Sequence, residues 1–135
     1  MRYLGIDFGS HRVGIALTDE EGKMAFPHGV LANKPGLLDE VVSICQREEV
    51  GAVVMGKSLD RNGKPNPIMD AVHVFVKDLK ASAKLPVYYE PEFYTSVQAR
   101  ALQGRNDMID ASAATIILQS YLDRQNAGTI DKIDE

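Results

Sequence analysis

The chain has 135 residues, which is a usual length for one domain and too short for two. Hydrophobic residues make up 44% and charged residues 25%, as in an ordinary globular protein, and no apolar run approaches the ~20 residues that cross a bilayer. The net charge of −4 excludes a protein that attracts nucleic acid by overall positive charge, although it leaves room for a local basic surface.

The first third of the chain predicts three antiparallel strands. Residues 2–8 and 12–18 are apolar, β-rich runs separated by Gly-Ser-His, a pattern typical of a hairpin. Residues 23–31 supply a third strand. Pro27 within it suits an edge position or a bulge, because proline has no N–H to donate to a neighbouring strand.

The remainder alternates between helices and strands. Short continuous apolar runs predict buried strands over residues 51–55 and 86–90. The helical period of apolar residues appears over 36–49, 68–81, 95–103 and 110–124. This order predicts one α/β domain over residues 1–125, with a mixed five-stranded sheet whose first three strands are antiparallel and last two parallel, flanked by helices. Residues 126–135 form a polar tail that we expect to be loose.

Two aspartates occupy positions where a charge is costly. Asp7 lies between apolar neighbours in the first strand, where it needs a partner; the alternative is a turn aspartate that accepts hydrogen bonds from the backbone near Gly9. Asp110 opens the last helix. It is either a helix N-cap or, because its stripe continues through Ala114 and Leu118, a carboxylate that faces the sheet.

Glu90 and Glu92 follow the strand over 86–90, at the end where α/β sheets bind ligands. The alternative is a pair of solvated loop glutamates. If Asp7, one of these glutamates and Asp110 converge, a proton or a cation must offset their repulsion. Carboxylate oxygens suit Mg²⁺ or Mn²⁺, which can activate water and stabilise the leaving oxygen of a phosphodiester. The scattered histidines and single cysteine give no zinc spacing.

A loop rich in Gly, Asn and Pro follows the strand over 51–55. Its basic residues and hydroxyl group predict contacts with a phosphate backbone, with an ordinary solvated loop as the equal alternative. The side chains concerned are Lys57, Ser58, Arg61 and Lys64. His11 and Arg12 extend the predicted basic rim.

Cys45 has no cysteine partner and no histidine near it in sequence, so we interpret it as a small buried hydrophobe. The N-terminus enters a strand with no long apolar region typical of a signal peptide. Both features predict a cytoplasmic protein.

The motifs resemble those of the YqgF/RuvX family over nearly the whole chain. Gly5-Ile-Asp-Phe-Gly-Ser10 with Arg12-Val-Gly-Ile-Ala16 resembles the family's opening hairpin, and Gly56-Lys-Ser-Leu-Asp-Arg-Asn-Gly63 its glycine loop. Glu92-Phe-Tyr-Thr-Ser-Val-Gln-Ala99 resembles its acidic segment. The run from Asp110 to Leu122 resembles its closing helix.

This resemblance implies a ribonuclease H-like fold and a metal-dependent nuclease that processes the 5′ end of precursor 16S ribosomal RNA. It also implies that Asp7, Glu92 and Asp110 are the metal ligands, with Glu92 preferred over Glu90. We expect two ions, bridged by Asp7. An alternative activity is resolution of four-way DNA junctions, which requires a symmetric homodimer rather than a monomer.

Two departures keep a third hypothesis open, namely a non-catalytic RNA-binding module in ribosome assembly. The family's Gly-Leu-Pro is Gly56-Lys57-Ser58 here, and its Asp-Glu-Arg is Pro91-Glu92-Phe93. The chain therefore lacks an arginine that in the family can contact phosphate. A nucleotide-binding protein of the actin type is disfavoured, because that class needs two such domains.

Overall fold

A computed structural model describes residues 1–93 and 107–126 of the chain, and within these it contains five strands and three helices. The strands are β1 Arg2–Phe8, β2 Arg12–Thr18, β3 Ala25–Ala32, β4 Val50–Leu59 and β5 Val87–Phe93. The helices are α1 Leu37–Arg47, α2 Ile68–Ala83 and α3 Asp107–Asn126. The predicted helix over 95–103 lies outside the described residues, as does the predicted tail beyond residue 126.

The strands form one sheet in the order β3-β2-β1-β4-β5. β1 pairs with β2, and β2 with β3, in antiparallel fashion, whereas β1 with β4 and β4 with β5 are parallel. The predicted mixed sheet is therefore confirmed. Pro27 lies in the edge strand β3 beside a register shift: Ile15 pairs with Gly29 and Ala16 with Pro27, so His28 is the extra residue of a bulge.

The sheet buries both faces because apolar side chains alternate along its central strands. In β1, Leu4 and Ile6 pack with α1 and α2, while Tyr3 packs with α3 on the opposite face. Leu4 and Ile6 are completely buried, and each contributes about 1.5–3 kcal/mol relative to an exposed side chain. Asp7 follows the alternation of Tyr3 and so belongs to the α3 face.

Three element boundaries differ by three residues or more from those predicted. β4 was expected to end at Met55 but continues to Leu59, and β5 was expected to end at Glu90 but continues to Phe93. The two extensions pair with each other, from Gly56 opposite Glu90 onward. α3 begins at Asp107, so Asp110 lies in its first turn and not at its cap.

Cys45 is on the buried face of α1 and 3% exposed, and burial raises the pKa of its thiol to about 11. The interpretation as a buried hydrophobe is therefore confirmed. Among the described residues, no helix has both the length and the apolar character that a bilayer span requires.

Gly5 marks the closest approach of α3 to the sheet. A Cβ atom there would lie 2.8 Å from Leu118 Cβ and 3.2 Å from the Ala114 carbonyl oxygen. We expect Gly5→Ala to lower the free energy of unfolding by about 1–3 kcal/mol, because the helix must move away from the strand. The measurement is urea denaturation.

Gly29→Ala in β3 is the matched control. No atom lies within 4 Å of a Cβ at Gly29, so this variant should be as stable as the wild type or slightly more stable. Equal stability of the two variants would contradict the tight packing of α3 on β1.

Candidate active site

Asp7 lies near the carboxyl end of the central strand β1, and glycines occupy nearby positions on both adjacent strands. It pairs with Gly14 of β2, and its strand is bordered on the other side by β4, in which Gly56 follows Met55, the partner of Ile6. Asp7 is only half-buried and is part of β1, not of the following turn. The small neighbours leave space above the sheet for groups from the adjacent elements.

Glu92 fills part of that space from β5. The strand pairing places it opposite Ser58, two residues beyond Gly56 on β4. Its Oε2 atom lies over Gly56, so close to where a Cβ atom would be that the two atoms would overlap, and Ile117 Cδ1 of α3 is 2.9 Å from that Cβ position. Glycine at position 56 is therefore what allows the Glu92 carboxylate to lie on the sheet.

The environment of Glu92 disfavours its negative charge. Burial, with a smaller contribution from the nearby charge of Asp7, raises the pKa of its carboxyl group from 4.5 to about 7. The two carboxyl groups are thus close enough to repel. Such a pair is stabilised by a proton on one member or by a cation bound to both.

Glu90 has a different environment from Glu92, although both are on the α3 side of β5. Glu90 is 3% exposed; its Oε1 accepts hydrogen bonds from Arg124 Nη2 at 2.9 Å and Nε at 3.1 Å, and its Oε2 accepts one from Ser120 Oγ at 2.7 Å. The interpretation of the two glutamates as solvated loop residues is wrong for Glu90. Its role is to fasten β5 to α3.

The backbone of Asp110 lies in α3, while its side chain lies outside the described residues. The helix runs antiparallel to β1: Tyr3 contacts Tyr121 at a ring-centroid distance of 6.0 Å, and Gly5 faces Ala114. Among the side chains that the structure describes, no group of three could hold a metal ion. Asp7 and Glu92 are the two described carboxylates of this site.

The predicted basic rim divides into three parts. Lys57 and Ser58 are half-buried in β4 rather than in a loop, and the Ser58 hydroxyl accepts a hydrogen bond from Asn66 Nδ2 at 2.9 Å. Arg61 and Lys64 are exposed on the turn after β4. His11 and Arg12 are exposed at the turn between β1 and β2.

The turn after β4 is held by Asp60. Its Oδ1 accepts hydrogen bonds from the backbone N–H groups of Asn62 and Lys64 at 2.8 and 2.9 Å. Because β1 and β4 are parallel, this turn and the turn after β1 lie at the same edge of the sheet. The exposed basic residues of both turns therefore border the edge that carries Asp7.

Two structural residues of the site were missed by sequence reasoning. Asn33 directly follows β3 and joins it to the turn between β1 and β2. Its side-chain Nδ2 donates a hydrogen bond to the Gly9 carbonyl at 2.7 Å, and its backbone N–H donates one to the His11 carbonyl at 2.9 Å. Arg124 was not singled out from the sequence. Its spacing of four from Ser120 places both on one side of α3, which was the available signal.

The sheet, antiparallel through β3, β2 and β1 and parallel through β4 and β5, has a ribonuclease H-like topology. Solved structures have the same fold. One described as "T. thermophilus RuvC in complex with Holliday junction substrate" has a TM-score of 0.62 at 19% identity, covering 96% of this chain and 97% of that one. The fowlpox virus resolvase in complex with Holliday junction DNA has a TM-score of 0.54 at 11% identity, covering 93% and 99%.

The chain belongs to the RuvX family, whose model is described as "Holliday junction resolvase" and matches residues 1–124. A relative from Oleidesulfovibrio alaskensis named "Putative pre-16S rRNA nuclease" is 36% identical over 132 residues, covering 90% of this chain and 92% of the relative. A relative of the same name from Syntrophomonas wolfei is 34% identical over 139 residues, covering 95% and 98%. The chain is thus a member of a nuclease family, a class of hydrolases that act on ester bonds.

Proposed function

We propose that this protein is a cytoplasmic, Mg²⁺- or Mn²⁺-dependent nuclease that processes the 5′ end of precursor 16S ribosomal RNA. The observation that carries the proposal is the Glu92 carboxylate, placed over Gly56 and close to Asp7 at the carboxyl edge of the sheet. A partly buried acidic pair is costly to a protein unless it binds a cation or a proton. The free-energy cost of keeping Asp7 and Glu92 together therefore supports a cation-binding function for the pair.

The donor set fits a hard divalent cation. Asp7 and Glu92 offer only carboxylate oxygens, which are the ligands that Mg²⁺ and Mn²⁺ prefer. We assign Asp110 as the third ligand on the register of α3 against β1. Tyr3 is beside Tyr121 and Gly5 beside Ala114, so continuing both elements brings position 110, one helical turn before Ala114, towards Asp7.

The residues of this chain have separate tasks in the proposed reaction. Asp7, Glu92 and Asp110 hold the cation, which when bound supplies an activated water and stabilises the leaving oxygen. Arg61 and Lys64, with His11 and Arg12, bind phosphates on either side of the cut. Of the remaining predicted contacts, Ser58 shares the α3 face of β4 with Gly56, where it positions the backbone near the scissile bond, whereas Lys57 lies on the opposite face of the strand.

Resolution of four-way DNA junctions is the second candidate. It is favoured by the description of the family model and by the junction complexes of the two structural neighbours. Two coordinated cuts require two active sites, so this candidate also predicts a homodimer. The names of the curated relatives favour the ribosomal RNA substrate instead.

A cleavage assay separates the candidates. Labelled precursor 16S 5′-leader RNA and a synthetic DNA four-way junction are incubated with Mg²⁺ or Mn²⁺, with EDTA and the Asp7→Asn variant as controls. We expect cutting of the RNA that is lost in both controls. Symmetric cutting of the DNA junction would instead indicate a four-way junction resolvase. Binding of the RNA without cleavage would favour the non-catalytic RNA-binding module.

A further inference from the structure

A hollow of about 540 Å³ lies on the side of the sheet opposite the candidate active site, between α2 and the outer strand β5. It is lined by His73, Val76, Lys77, Lys80, Ala81 and Tyr89. None of these residues belongs to the acidic site. The hollow is therefore separate from the candidate active site.

The polar lining comes from one stripe of α2. His73, Lys77 and Lys80 follow the helical spacing of four and three residues, so their side chains project along one line. The ring of Tyr89 stands at 82° to that of His73, with centroids 6.0 Å apart. Burial raises the pKa of Tyr89, and its hydroxyl, which is neutral near pH 7 even without this shift, can donate a hydrogen bond.

The hollow is positively charged, whereas the protein as a whole has a negative net charge. Among the described residues that line it, two lysines and a histidine are the ionisable side chains besides Tyr89 and none is a carboxylate, in a chain whose net charge is −4. Two other hollows are mixed in sign. The one between β3 and α1 includes Asp39 and Glu40, and the one near the N-terminus includes Glu20, Glu48 and Glu49. A polyanion is thus attracted to the α2–β5 hollow and not to these two.

The same stripe leads from the catalytic edge of the sheet. By strand alternation Lys57 shares the α2 face with Met55, and Met55 pairs with Tyr89 of the hollow. From His73 the stripe continues through Lys77 to Lys80, about 10 Å along the helix axis at 1.5 Å per residue. That length matches a few consecutive phosphates of a nucleic acid strand.

We propose that the α2–β5 hollow binds the phosphate backbone of the nucleic acid substrate, outside the region that is cut. The inference rests on the proposed nuclease function and extends it, because it makes the substrate long enough to pass from the catalytic edge over β5. The lysines contribute charge, and Tyr89 with His73 contributes a surface for sugar or base contact.

The test measures binding rather than cleavage. Fluorescein-labelled precursor 16S 5′-leader RNA is titrated with wild type and with Lys77→Ala/Lys80→Ala in EDTA, at several salt concentrations. Loss of two phosphate contacts should weaken affinity about tenfold at low salt and reduce the slope of log K against log salt by about 2. The control Lys23→Ala/Arg47→Ala removes the same charge at the end of the strands away from the catalytic edge, and it should leave the slope unchanged.

Unchanged affinity and slope in the α2 variant would overturn the inference, and would be the result if the hollow serves an acidic protein segment instead. The outcome for the proposed function is read separately, from cleavage by the wild type. A wild type that cleaves RNA while the α2 variant binds normally contradicts only the hollow. A wild type that binds with the expected slope difference but never cleaves supports the hollow and contradicts the nuclease.

Discussion

Glu92→Gln should reduce cleavage by about 100-fold or more while making the metal-free protein more stable at alkaline pH. The amide has the shape of the carboxylate and still fits over Gly56, where Glu92 Oε2 lies. It is a weaker ligand for a divalent cation, and even residues one contact removed from a metal typically change affinity or activity 10–100-fold. The loss of rate is measured under single-turnover conditions at saturating enzyme.

The gain in stability follows from the proton that Glu92 binds. Its carboxyl pKa is about 7 in the folded protein against an ordinary value of 4.5, so the folded state holds the proton more tightly. The stability that this proton contributes is complete below about pH 4.5 and is lost as the pH rises through about 7. At about 1.4 kcal/mol per pH unit, and reduced for partial exposure, we expect a loss of about 2 kcal/mol.

Glutamine has no proton to lose, so the variant should be more stable than the wild type by about this amount at pH 8 in EDTA, and equal to it at pH 4. Thermal denaturation at both pH values measures the difference. Mg²⁺ should stabilise the wild type and have little effect on the variant.

Glu21→Gln is the control. It removes the same charge from a turn where the side chain is 72% exposed, and it should change neither the cleavage rate nor the stability at pH 8. A Glu92→Gln protein that is less stable than the wild type at pH 8 would contradict the repulsion between Glu92 and Asp7. A variant that cleaves within tenfold of the wild-type rate would remove Glu92 from the metal ligands.

Strand alternation was sufficient to place Asp7 on the α3 face, because a period of two is a local property. The strand ends could not be predicted in the same way. Gly56, Lys57 and Ser58 have low strand propensity, yet they remain in β4 because β5 pairs with them. That pairing joins residues about thirty positions apart. Propensity over a short window contains no information about it.

The different roles of Glu90 and Glu92 could not be predicted from a short sequence window either. Both share one face of β5, and sequence spacing treats them alike. Their environments diverge because Arg124 and Ser120 approach Glu90 from α3, whereas Gly56 leaves an open place for Glu92. The family resemblance gave the preference for Glu92. The structure adds the physical reason why Glu90 is a structural residue.

Arg124→Met should lower the free energy of unfolding by about 3 kcal/mol. It leaves the Glu90 carboxylate, 3% exposed, without the cation that contacts it at 2.9 and 3.1 Å. Removing one partner of a buried pair costs about 3–5 kcal/mol, and the lower end applies because the Arg124 side chain is 39% exposed. Urea denaturation gives the value. Arg47→Met is the control, since its exposed pair with Glu48 should contribute less than about 1 kcal/mol.

Arg124 has further interactions, so a double-mutant cycle isolates its pair with Glu90. In Glu90→Gln/Arg124→Met a neutral amide replaces the stranded charge and can still accept the Ser120 hydroxyl bond. We expect the double variant to recover about 1–2 kcal/mol relative to Arg124→Met. Costs that simply add would mean that the two side chains are not coupled. In that case β5 is held against α3 by apolar packing and the Ser120 hydrogen bond, and the position of Glu92, two residues along the strand, does not depend on the ion pair.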